Sequence, residues 1–229
     1  MASVDTEGKI TKSPAAVIAN ITPALCSSML ADTELGKRVQ ISSRANGDDW
    51  ARFDLMNVTE LALMKELTSS TKRVGGRLIR DVAHIAAGII DGLQISAHCR
   101  KVFDGDTGAF GDYFAFVAFP DEGKNIPVEA SKQRRGARLG YGNSAQGITS
   151  EEWEFDFHVF VGTLTEIASD MSEFRSAFAK DGSWRGIKSS DWWSRGQFVN
   201  LSSLVRKMDE RAAGLGLRFF GMRFSKIED

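Results

Sequence analysis

Trp153-Glu154-Phe155-Asp156-Phe157-His158-Val159-Phe160-Val161 alternates large apolar side chains with charged or polar ones before closing on a β-branched and aromatic run. A period of two puts Trp153, Phe155, Phe157, Val159 and Val161 on one face of a strand and Glu154, Asp156 and His158 on the other. The stretch therefore predicts a half-buried strand, and the rest of the chain is read around it.

Downstream, Ile167, Met171, Phe174 and Phe178 fall on one face of a helix that stops near Asp181-Gly182. Leu201, Leu204, Val205, Met208 and Ala212 predict a second amphipathic helix, ended by Gly214 and Gly216, and Leu217 to Ser225 follows as a closing strand. Upstream, Tyr113 to Phe119 is aromatic and β-branched enough for a strand. Leu93 to Val102 alternates and is expected to pair with it as a hairpin. Before that, Leu78, Val82, Ile85, Ala86 and Ile89 recur at helical spacing. Asn57 with Glu60 reads as a capping box opening a helix through Leu61, Met64 and Leu67. Lys37 to Ser42 is expected to be a strand that turns at Arg44 to Asp49 and returns through Trp50 to Phe53. Ser13-Pro14 and Thr22-Pro23 mark the starts of two short helices, about 14–20 and 23–31. Their apolar residues either join the core or form an arm offered to a neighbouring subunit.

Strands that pair as hairpins, separated by helices, predict an α+β fold in one domain. It is expected to be mainly an antiparallel sheet packed against several amphipathic helices. The expected organisation is a helical arm over 1–36 and a core over 37–229 that carries a long polar loop, 121–150.

Composition narrows the function. With 29 Lys+Arg against 30 Asp+Glu the formal net charge is -1, so no global field draws the chain to polyanions and such binding needs a local patch. Cys26 and Cys99 lack metal-ligand spacing and read as reduced thiols, with no disulfide. Met1 to Lys12 is polar, unlike a secretory signal, and no stretch reaches the apolar length of a membrane span. An intracellular location is expected, in cytoplasm, nucleus or a virion, and not secretion.

Chemistry-bearing motifs are scarce. No Gly-x-Ser-x-Gly elbow, CxxC or HxxxH occurs, and Gly75-Gly76 and Gly140-Tyr141-Gly142 match neither nucleotide fingerprint. Asp104-Gly105-Asp106-Thr107-Gly108 resembles the start of a calcium loop, but Ala115 stands where the bidentate Glu belongs, so a turn is expected. Glu151, Glu152, Glu154 and Asp156 read as a solvated strand face. No catalytic residue, cofactor or metal is assigned. An enzyme with an unrecognised site would draw on His98, Cys99 or His158.

Two clusters remain. Lys132, Arg134, Arg135 and Arg138, with Tyr141 nearby, suit the phosphates of RNA or of an anionic membrane surface; the alternative is a solvated loop. Trp184, Trp192 and Trp193 among Arg185, Lys188 and Arg195 suit a self-association interface; the alternative is core packing.

Ala97-His98-Cys99-Arg100 after a helix pair, the alternating run Phe157 to Thr163, and the helix, turn and strand of Leu204 to Phe224 give an element order that resembles rhabdovirus matrix proteins. The resemblance spans about the last two-thirds of the chain. Residues 1–36 depart from that family, with neither a lysine-rich arm nor a proline-rich late-budding motif. It implies a non-enzymatic assembly protein that condenses a nucleocapsid and lies on the inner membrane surface. Absent chemistry and the local basic patch lead to the expectation of a viral-type structural protein that self-associates as a homo-oligomer and binds ribonucleoprotein or an anionic membrane surface. The runner-up is a single-stranded RNA-binding protein or nucleoprotein, in which the arginines and exposed aromatics form a stacking groove.

Overall fold

The structure, a computed structural model, describes residues 4–31, 33–45, 51–70, 78–96, 98–104, 111–119, 158–180 and 195–227. The chain is α+β, and every strand pair among these residues is antiparallel. Two compact units are distinguished. The first gathers Met1–Ile90, Arg100–Thr107 and Ser202–Asp229; the second holds Asp91–Cys99 and Gly108–Leu201.

The first unit is built round α4 (Leu55–Ser70). Val58, Thr59, Glu60, Leu61, Ala62, Leu63 and Met64 are seven consecutive buried residues, so the helix is buried on every side over this stretch. Asp54 caps it: its Oδ1 accepts from Asn57 N at 2.8 Å while Asn57 Oδ1 accepts from Asp54 N at 3.2 Å. The expected Asn57/Glu60 box is thus corrected by three residues. Glu60 instead turns inward, and both its oxygens accept from Arg38 Nη2 at 2.8 and 2.7 Å. α1 (Lys12–Ile18) packs on α4 and on α2 (Pro23–Ala31). Ala15, Ala16, Ile18, Cys26 and Met29 put the buried sides of these two helices into the core. Thr22 caps α2, its Oγ1 accepting from Leu25 N at 3.1 Å. Ser13 does not cap α1, which begins two residues earlier than expected, at Lys12 after Thr11.

Three expected strands are corrected. Lys37 to Ser42 lies in α3 (Glu34–Ala45), where Leu35 and Val39 are buried four residues apart. Six residues of alternation do not outweigh a helical spacing that already begins at Leu35. Arg52–Phe53, as β2, accordingly pairs with Ile10–Thr11, as β1, and not with 37–42. Leu93 to Val102 is no strand either: α5 (Leu78–Ile95) carries the spacing of Val82, Ala86, Ile89 and Ile90 on to Leu93, and Cys99–Phe103 forms α6. The closing strand is two: β6 (Leu217–Phe220) and β7 (Arg223–Lys226) form a hairpin after a helix that covers the predicted Leu201 to Ala212. That hairpin is clasped to the N-terminal turn, with Phe224 N donating to Gly8 O at 3.3 Å. Gly8 has φ +77, and a Cβ there would lie 2.8 Å from Arg223 Cβ. Only glycine fits both demands.

Candidate functional site

The second unit is organised on a three-stranded sheet in the order β4-β3-β5. The strands are β3 (Phe114–Phe119), β4 (His158–Gly162) and β5 (Arg195–Asn200). One face is small and branched: Ala115, Val117, Val159 and Val199 are buried. Gly92, in the last turns of α5, comes so near that a Cβ would sit 3.2 Å from Val161 Cγ2. The missing side chain is what allows the helix this approach.

The other face is aromatic. Phe116 is the direct partner of Phe160 on one side and of Phe198 on the other. The three rings form a rung across the sheet, stacked at 6.4 Å (Phe116 to Phe160) and 4.5 Å (Phe116 to Phe198) between centroids. Phe114 meets Phe198 edge-on at 6.4 Å. Offset and edge contacts of this kind each add about 1 kcal/mol to simple burial. Gly196 lies beneath the rung, where any Cβ would strike the Phe116 ring. At the β4 side, α7 (Leu164–Lys180) covers the rung with Ile167, next to Met171. At the β5 side the covering stops, and Phe198 remains 53% exposed.

At the start of α7, Thr163 N and Oγ1 both donate to Glu166 Oε2 at 2.8 Å, and Glu166 N donates back to Thr163 Oγ1 at 3.3 Å. This is a capping box. His98 Nε2 lies 3.3 Å from the same Glu166 oxygen, and its ring centroid is 4.8 Å from that of Tyr113. His98 Nδ1 is buried and has no hydrogen-bond partner among the described residues. Glu166 Oε2 already takes two hydrogen bonds from Thr163, so it serves as a cap rather than a free base. His98 sits in a turn before α6, and Cys99 opens that helix, correcting the strand expected there. His158 begins β4.

The sequence-assigned residues fall outside the described ones: Lys132, Arg134, Arg135 and Arg138 within 120–157, Trp184, Trp192 and Trp193 within 181–194. Their attachment points, however, are described. Ala118 is the partner of His158, and Phe119 is the partner of Arg195. The segment with the four basic residues therefore leaves and rejoins the chain at one end of this sheet, and the tryptophan segment rejoins it at the same end. Among the described residues no three His, Cys, Asp or Glu side chains converge as metal ligands. No single helix among them is long and apolar enough to cross a membrane. No known family model, curated protein or solved structure matches the chain.

The alternation in the sequence marks β3 and residues 158–161 of β4, while 153–157 lie outside the described residues; it does not mark β5, and the expected pairing of β3 with 93–102 hides the aromatic rung. Its signal was present: Phe114, Phe116, Phe160 and Phe198 each stand at alternate positions within strand-forming runs.

Proposed function

We propose that the protein is a non-enzymatic, matrix-like structural protein of viral type, which self-associates and binds ribonucleoprotein or an anionic membrane surface. Lys132, Arg134, Arg135 and Arg138 supply the phosphate contacts, and Trp184, Trp192 and Trp193 the contacts between copies. It works inside a cell or within a virion. One observation supports this reading most: the aromatic rung runs from cover under α7 into solvent at Phe198, on a sheet whose one end anchors both segments. Phe198, the exposed end of the stack, offers flat apolar area at low entropic cost, and the cations of a segment attached to the same sheet suit a polyanion.

The same exposed ring favours a second reading, a single-stranded RNA-binding protein whose aromatic platform stacks bases. Size-exclusion chromatography with light scattering, at low and high salt and with nuclease, separates the two. Assembly predicts large particles that persist after nuclease and shrink in Trp192→Ala/Trp193→Ala with an unchanged thermal melt. RNA binding alone predicts monomers that carry nuclease-sensitive nucleic acid, lost when Lys132, Arg134, Arg135 and Arg138 are all alanine. A monomer free of nucleic acid at every salt refutes both.

A further inference from the structure

The hairpin of β6 and β7 presents two unlike faces. Leu217 and Phe224 are buried on the inner one, where Phe219 packs edge-on against Phe103 and Phe224 at centroid distances of 6.5 and 5.5 Å. On the outer face, register brings Arg218 opposite Ser225 and Phe220 opposite Arg223. Phe220 is 71% exposed, more than any other large apolar side chain among the described residues. It stands beside the turn Gly221-Met222, whose φ angles of 54 and 66 make the two-residue connection of a twisted hairpin. Asn or Gly ordinarily takes the second position; here it is a methionine, so the tip reads Phe-Gly-Met. Solvent alone gives no reason for that composition.

The shank is cationic. Residues 214–227 contain Arg218, Arg223 and Lys226 and no acid, and Glu228 and Asp229 follow in the sequence. All three cations are exposed, and none has an ion-pair partner among the described residues. Arg218 donates to Ser225 Oγ at 3.4 Å, and its guanidinium carbon lies 5.8 Å from the Phe220 ring centre.

We propose that this hairpin is an anionic-lipid contact: Phe220 and Met222 enter the headgroup boundary of a bilayer while Arg218 and Arg223, on the same outer face as Phe220, meet lipid phosphates. Apolar tip and basic shank match the two layers of such a surface in depth and in charge. Lipid fits better than unpaired RNA, because a base stacking on the Arg218-covered face of Phe220 would have to displace the guanidinium. At a bilayer the ring goes deeper and the guanidinium stays at phosphate level. The inference rests on the assembly reading for the class of surface and on the hairpin alone for the site.

The test is flotation of the full chain with vesicles of phosphatidylcholine alone or mixed with phosphatidylserine, alongside binding of a single-stranded oligouridine. Each cation near an anionic surface contributes about 1 kcal/mol, so Arg218→Ala/Arg223→Ala should weaken binding to the mixed vesicles roughly 25-fold. Phe220→Ser should weaken it about tenfold, since a buried ring is lost. Both changes lie on an exposed face and should leave circular dichroism and thermal melts unchanged. The Lys132, Arg134, Arg135 and Arg138 alanine variant should keep hairpin-dependent flotation. If that variant alone loses flotation, the basic-loop reading survives and the hairpin proposal falls. The hairpin proposal also falls if wild type floats equally with neutral vesicles, floats with neither, or loses oligouridine rather than vesicle binding on hairpin substitution.

Discussion

Two side chains show how burial governs chemistry in this chain. Glu60 keeps only 3% of its side chain in contact with solvent, yet both carboxylate oxygens are engaged by Arg38 from the neighbouring helix. A buried carboxylate without such a partner would cost several kcal/mol, so the pair ties α3 to α4 in one register. Capping chemistry at Asn57 and Glu60 was a sound local reading that lost to this long-range demand. Cys26 is the second case. Its thiol is fully buried, and desolvation pushes it above the ordinary 9.0, with Lys12 opposing the effect. In the unfolded chain that thiol ionises at its ordinary value, whereas the folded one still holds its proton. Stability is thus fully present below pH 9.0 and falls as pH rises between the unfolded and folded values. Urea denaturation should therefore show stability declining as pH rises past 9.0, less steeply in Cys26→Ala than in the wild-type chain.

Long, strongly periodic elements were legible: α5, α7, α8 (Leu201–Ala213) and strand β3 stand close to where their hydrophobic spacing puts them. Short runs were not. Over six to ten residues, as at 37–42 and 93–102, alternation and helical spacing select many of the same positions, and only tertiary contacts decide. Strand partners were illegible for a related reason, since β3 pairs with strands about forty and eighty residues downstream while a nearer run looked equally suitable. The sheet makes a demand of its own at Gly196. Alanine there must displace the Phe116 ring, and Phe160 and Phe198 flank that ring on both sides. Overpacking of this sort costs about 1–3 kcal/mol. Gly196→Ala should lower the denaturation midpoint and alter near-ultraviolet dichroism, while Gly214→Ala, whose φ lies outside the left-handed region and whose Cβ would meet nothing nearer than Arg211 O at 3.4 Å, should cost less and leave the aromatic signal intact.

At the scale of the molecule, the first compact unit is assembled from three separated stretches of chain. Composition and motifs hold no sign of that, because an interruption of this kind leaves no shift in polarity at its boundaries. The third stretch is integral: Leu204, Val205, Met208, Ala212, Leu217 and Phe224 are buried, and Arg211 Nη1 donates to Ile18 O at 3.1 Å. Removing residues 202–229 should therefore unfold the first unit rather than trim a tail. Hydrogen exchange would show lost protection in α1 and α4, with the strands β3, β4 and β5 still protected; undiminished protection in α4 would contradict this account.

That discontinuity also sets an order of events on the ribosome. The sheet of the second unit is fully translated by Leu201, but the first unit lacks its last helix and hairpin until residues 202–227 follow. At about 5–20 residues per second, α1 and α4 wait on the order of ten seconds for the rest of their unit. The earliest-made part of the chain is the last to close, so in a cell making many copies its nascent chains are the ones most in need of a chaperone.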